Sequence, residues 1–107
     1  MKDEQNLEKM IAVVQKILTY VGGYDYETFC DNEMLVEACD FNLAQLGELA
    51  HKMSDVFVES HADLPWNEMY GLRNRLIHDY QGVNLRLVWE IVSDDLSVLK
   101  VKLEGAV

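Results

Sequence analysis

The sequence predicts an all-α protein: an up-and-down bundle of four main helices, with room for one short extra helix. Three observations predict it. Apolar residues recur at i, i+4, i+7 spacing through the long segments. No segment alternates convincingly as a half-buried strand would. The residues that start and stop helices, Gly22-Gly23, Asp63-Leu64-Pro65 and Asn84, fall between those segments. With 107 residues, half of them apolar, the chain reads as a single domain over residues 1–107. Its core is real but small, and self-association would help to stabilise it.

The first helix is expected from about Glu4 to Val21, with Leu7, Ile11, Val14, Leu18 and Val21 as its apolar stripe and Gly22-Gly23 as its end. A helical turn fits around Asp25–Phe29. A long second helix is expected from about Asn32 to Glu59, with Leu35, Cys39, Leu46, Leu49, Met53 and Val56 roughly on one face. Asn42 interrupts that stripe, while Phe41, Phe57 and Val58 broaden the apolar surface. Asp63-Leu64-Pro65-Trp66 reads as a third helix start, because proline is tolerated in a first turn and acidic groups are favourable there. That helix should stop near Asp79-Tyr80, before Gly82. Asn84 can cap a fourth helix running to about Glu104, with Val88, Ile91, Val92, Leu96, Leu99 and Leu103 inward.

Composition then restricts function. The apolar runs are short, Ile11-Ala12-Val13-Val14 being typical, so no membrane span is expected. Met1-Lys2-Asp3-Glu4-Gln5 is no signal peptide, and the expected location is cytoplasmic. Cys30 and Cys39 lie nine apart with no Cys-x-x-Cys and no histidine set nearby, which predicts two reduced thiols. The net charge of −10 excludes a general nucleic-acid coat, because such binding works by phosphate neutralisation. The acidity is uneven, however. From Arg73 to Arg86 three arginines face one aspartate, Asp79, which suits a small focused site or a basic partner for the acidic faces.

The chemistry concentrates in Gly71-Leu72-Arg73-Asn74-Arg75-Leu76-Ile77-His78-Asp79-Tyr80. Arginine is a permanent phosphate clamp, and histidine both takes and gives a proton near neutrality. Cleaving a phosphodiester without a metal needs that combination. An arginine and a histidine at one chosen spacing turn up in about 0.08 of chains of this composition, so the bare pair is weak. Arg73 and His78 also sit about 140° apart around an ideal helix, whereas Asn74 and Arg75 are near neighbours of His78. Arg73 therefore reaches the histidine by side-chain length, by helix distortion, or across a two-fold dimer that brings two histidines into one cleft. In such a cleft an RNA 2′-hydroxyl would attack the adjacent phosphate. His78 would move the protons and Arg73 would stabilise the phosphorane. Asn74 would orient His78 or the phosphate, and Arg75 and Tyr80 would hold substrate by charge or stacking. The plainer alternative makes Arg73 and Arg75 solvated surface residues and His78 a cation at a helix C-terminus.

Other constellations carry less. Glu48-Leu49-Ala50-His51 has the Glu-x-x-His spacing of di-iron bundles, but no second such pair exists, since Val58 and Arg75 precede His61 and His78 by three. No metal and no cofactor is expected. Tyr20, Tyr24 and Tyr26 either close a bundle end or form an exposed patch. Trp66 and Trp89 read as core or interface anchors, and Asp94-Asp95 as a solvated face.

Pro65-Trp66, the motif segment, Val88-Trp89 and Leu46-Gly47-Glu48-Leu49-Ala50, taken in order, closely resemble one branch of the HEPN superfamily. That branch is the HepT-like toxins, which pair with a minimal nucleotidyltransferase antitoxin. The resemblance covers nearly the whole chain. It implies a HEPN-like bundle and a homodimeric, metal-independent endoribonuclease with its cleft at the dimer interface. Arg73 and His78 would be catalytic, and Asn74 the polar residue beside the arginine. Tyr80 would be the residue the antitoxin inactivates by adding AMP. RNA is the implied substrate, with no DNA and no membrane partner. The rival expectation is the same fold with an inactive cleft, acting as a binding subunit of a nucleotidyltransferase complex. Leu49 is one departure, a large side chain where the family's segment continues with small ones, which predicts different packing at that point.

Overall fold

A computed structural model describes the backbone of residues 2–78 and 84–107 and the side chains of residues 2–72 and 84–107. The described chain is helical with no strand among those residues. The elements are α1 (Lys2–Val21), α2 (Tyr26–Asp31), α3 (Glu33–His51), α4 (Asp55–Ser60), α5 (Trp66–His78), α6 (Leu85–Glu90), a π-helical stretch (Ile91–Asp95) and α7 (Leu96–Gly105). Four rods make the bundle: α1, α3, α5 and the continuous rod from α6 to α7. α3 lies between α1 and α5, and α1 also packs on α7.

α1 follows its expected stripe, turned slightly. Leu7, Met10, Val14, Ile17 and Val21 are buried, while Ile11 and Leu18 flank them half-buried. Gly23 closes the helix at φ +84°, a left-handed conformation that a side chain would strain. The turn at Asp25 is a true short helix. Thr28 N–H donates to Asp25 Oδ1 at 2.9 Å and Asp25 N–H donates to Thr28 Oγ1 at 3.0 Å, a reciprocal cap. α2 thereby buries Phe29 completely, with its ring 5.1 Å from Trp89.

The single long helix expected from Asn32 to Glu59 is corrected. α3 starts on its predicted cap, with Leu35 N–H donating to Asn32 Oδ1 at 3.0 Å, but it ends at His51. Residues 52–54 turn the chain before α4. The cause is long-range: Asp3 of α1 accepts from Ser54 N–H at 2.9 Å and from Ser54 Oγ–H at 2.6 Å. Those two bonds hold the Asp3 carboxyl below its usual value. Ser54 Oγ in turn accepts from Phe57 N–H at 3.2 Å and starts α4. Because the helix breaks, Val56 leaves the stripe and stands 75% exposed, and Phe41 too faces solvent. Met53 and the other four stripe residues are buried, Leu49 among them. Asn42 is also buried and satisfies its amide by donating to the Ala38 carbonyl at 2.8 Å.

The fourth rod starts as expected, with Leu87 N–H donating to Asn84 Oδ1 at 3.1 Å. All six predicted inward residues are buried. Val88, Val92 and Leu96 are all inward at successive spacings of four, which drifts off the face of an ordinary 3.6-residue helix. The wider π stretch at Ile91–Asp95 absorbs that drift. Among the described residues no helix is long and apolar enough to cross a membrane.

Candidate active site on the fifth helix

α5 carries most of the motif, and its first half fixes the rotation of the rest. The Pro65 carbonyl accepts from Met69 N–H at 3.1 Å, so proline opens the helix without losing a bond it could make. Trp66 Nε1–H donates to the His61 carbonyl at 2.9 Å, and the Trp66, Met69 and Leu72 side chains are buried. Fully burying each such side chain stabilises the fold by about 1.5–3 kcal/mol, enough to hold one helix orientation.

Tyr70 marks the side of α5 that faces α3. Its ring stacks on His51 of α3 with centroids 4.5 Å apart and planes at 20°. This contact also accounts for His51, the histidine of the Glu-x-x-His spacing. Among the described residues no group of three histidine, cysteine, aspartate or glutamate side chains is placed to hold a metal.

From Tyr70, helix geometry puts position 77 about 20° round, Asn74 about 40°, Arg73 about 60° and His78 about 80°. Arg75 lies about 140° away. The backbone of α5 therefore brings Arg73 and Asn74 onto the arc facing α3 and His78 to its edge, with Arg75 outside it. Arg73 and His78 stay on opposite flanks of that arc. Tyr80 lies outside the described residues, as does the predicted helix end at Asp79-Tyr80. Of the three arginines in the locally positive segment, Arg86 is committed elsewhere: its guanidinium sits 3.9 Å above the Tyr26 ring. Tyr26 is also held above its ordinary value by a hydrogen bond with Cys30, with burial adding.

α3 also contains a residue that sequence reasoning passed over. Asp40 is half-buried, and its Oδ1 is enclosed with no hydrogen-bond partner. Burial pushes its carboxyl up to about 6, and nearby Glu37 adds to the rise. The neighbouring Cys39 thiol is pushed up to about 12, first by burial and then by Asp40. The signal was present in the spacing. Asp40 falls four after Val36, three before Leu43 and seven before Gly47, all buried, so a carboxylate occupies an inward register.

The chain matches the family model described as Ribonuclease HepT-like over residues 10–105. It belongs to the HepT-like ribonuclease family. A relative from Methanocaldococcus jannaschii, named "Putative RNase", is 35% identical over 98 residues, spanning 92% of this chain and 90% of that protein. A second of that name, from Caldanaerobacter subterraneus subsp. tengcongensis, is 32% identical over 94 residues, covering 88% and 84% of the two chains. A protein of Thermococcus cleftensis named "Probable ribonuclease HepT" is 31% identical over 98 residues, covering 92% and 89%. No solved structure matches the chain. The HepT-like match spans α3, α5 and the fourth rod together, so it includes the helix that carries the motif and the helix that faces it.

Proposed function

We propose that this protein is a metal-independent endoribonuclease toxin acting as a homodimer and neutralised by a minimal nucleotidyltransferase antitoxin. The observation that carries the reading is the HepT-like match over residues 10–105, with Arg73 and His78 on the last turns of a helix whose rotation is anchored by Trp66, Met69 and Leu72. The 2′-hydroxyl of RNA attacks the neighbouring phosphorus, O2′ bonds to it, and the bond to the leaving 5′-oxygen breaks. A proton leaves the 2′-hydroxyl and another reaches the 5′-oxygen, and His78 serves that transfer as general acid and base. Arg73 stabilises the charge on the phosphorane, and Asn74 and Arg75 help to position the phosphate. The divergence of Arg73 and His78 around α5 favours a cleft shared by two chains, in which each motif completes the other. Tyr80, two residues beyond the histidine, is the acceptor through which the antitoxin adds AMP and blocks the site.

Cleavage of total RNA in EDTA by the wild type, by Arg73→Ala and by His78→Ala tests this at matched folded concentration. The expected result is cleavage by the wild type alone. An inactive wild type that still binds a nucleotidyltransferase would contradict the reading and leave the binding-subunit role.

A further inference from the structure

A chain of net charge −10 cannot hold RNA by phosphate neutralisation over a broad surface, so much of the grip has to come from the bases. One surface of the described chain suits bases. Trp66 and Tyr70 of α5 and His51 of α3 form a staircase of rings with Tyr70 as its middle step. The Trp66 and Tyr70 centroids are 6.3 Å apart with planes at 30°, and those of Tyr70 and His51 are 4.5 Å apart with planes at 20°. Exposure rises along it: Trp66 is buried, Tyr70 half-buried and His51 exposed. Trp66 is fixed at the inner end by its bond to the His61 carbonyl, so the direction of the stack is set from the core. Among the described residues the His51 ring makes no other ring contact and no hydrogen bond, which leaves its face away from Tyr70 open. The staircase also lies beside the motif. His78 follows Tyr70 by eight residues on α5, about 12 Å along the axis and about 80° round, with Asn74 between them at about 40°. A few nucleotides of single strand bridge that distance. The charges next to His51 on α3 are Glu48 and Lys52, of opposite sign, and Glu68 lies about 160° round α5 from Tyr70.

Resting on the ribonuclease reading above, we propose that His51 is the open step of a base-stacking subsite, which holds one nucleotide of single-stranded RNA beside the motif. The base continues the staircase on the free face of His51, and Tyr70 and Trp66 behind it keep that face in place. Duplex RNA does not fit this arrangement, because its bases stack on one another and offer no open face to a side chain. The substrate class is therefore RNA that is unpaired near the cut. Every base has a π-face, so the subsite accepts all four and favours purines, whose larger rings overlap the imidazole more fully.

The test is a cycle that removes the ring from the protein and the base from the RNA. The wild type, His51→Ala and His51→Phe are compared on a single-stranded oligonucleotide and on a set in which one abasic residue is stepped along it. Binding is read on 2′-O-methyl strands, which lack the attacking hydroxyl, and cleavage on RNA in EDTA. The proposal expects one abasic position near the cut to weaken wild-type binding about tenfold, a usual loss for one base–aromatic stack. His51→Ala should lose the same factor on the intact strand and nothing more at that abasic position, since both changes delete one contact. His51→Phe should stay within about twofold of the wild type. A His51→Ala variant that binds the intact strand as the wild type does overturns the proposal, and leaves the ribonuclease reading standing if the RNA is cut. A loss of equal size on every strand, the abasic ones included, overturns it too, because His51 then acts through folding alone. A wild type that shows the expected binding pattern but cuts nothing overturns the ribonuclease reading alone. One that neither binds nor cuts overturns both.

Discussion

Replacing Asp40 by asparagine should make the protein more stable at neutral pH, and the gain should vanish in acid. Burial penalises the charged carboxylate and lifts its pKa from 3.8 to about 6. At about 1.4 kcal/mol per pH unit, that rise sets a ceiling near 3 kcal/mol on the cost of the charge. The side chain is only half-buried, so solvent screening reduces the expected figure to about 1 kcal/mol. Between pH 3.8 and 6 the native state binds more protons than the unfolded chain, so this group's contribution to stability declines as pH rises through that window. Below it both states are protonated and the penalty is absent; above it the penalty is complete. Asparagine carries no charge at any of these values. Urea unfolding of dilute wild type and Asp40→Asn should therefore give equal stabilities near pH 4 and a difference of about 1 kcal/mol favouring the variant at pH 7, equivalent to about 4 °C in Tm. Two curves that stay parallel from pH 4 to 7, or a variant less stable at pH 7, would refute the reasoning. The direction of the Asp3 and Asp25 shifts is opposite, since hydrogen bonds to Ser54 and Thr28 lower both. Their stabilisation is lost as pH falls below 3.8, equally in both proteins, and cancels in the difference.

Two further outcomes follow from the packing. Phe29→Ala removes a completely buried ring and its contact with Trp89, and should cost about 3–5 kcal/mol in chemical unfolding, because α2 has little else to bury. The two free thiols should separate in a disulfide-exchange titration at pH 8. Half-buried Cys30 should react in the native protein, and Cys39, pushed up to about 12, only as the chain unfolds.

Much of this bundle was legible because its signals are local. The inward residues of α1 and of the fourth rod follow from spacing, and Gly23, Pro65 and Asn84 mark boundaries through their own backbone chemistry. The break after His51 was not legible, because its cause is a carboxylate 51 residues away: Asp3 bonded to Ser54. Nor was the π stretch, which arises when Val88, Val92 and Leu96 must all reach one core. The motif segment stood out by its residue types alone, and Pro65-Trp66 foreshadowed the anchoring of α5 through Trp66, Met69 and Leu72. Asp40 was missed for a physical reason. Its inward register shows in the spacing, but among 19 acidic residues that signal is weak until the oxygen is seen to be enclosed without a partner.

The central claim is that this chain cuts RNA through its own side chains by 2′-hydroxyl attack. The most direct measurement is end-group analysis of an RNA and its all-deoxy counterpart after incubation with the protein in EDTA. The account predicts cleavage of the RNA alone, leaving 2′,3′-cyclic phosphate and 5′-hydroxyl ends. Cleavage that requires added divalent metal and leaves 3′-hydroxyl ends, or equal cleavage of the deoxy strand, would contradict it.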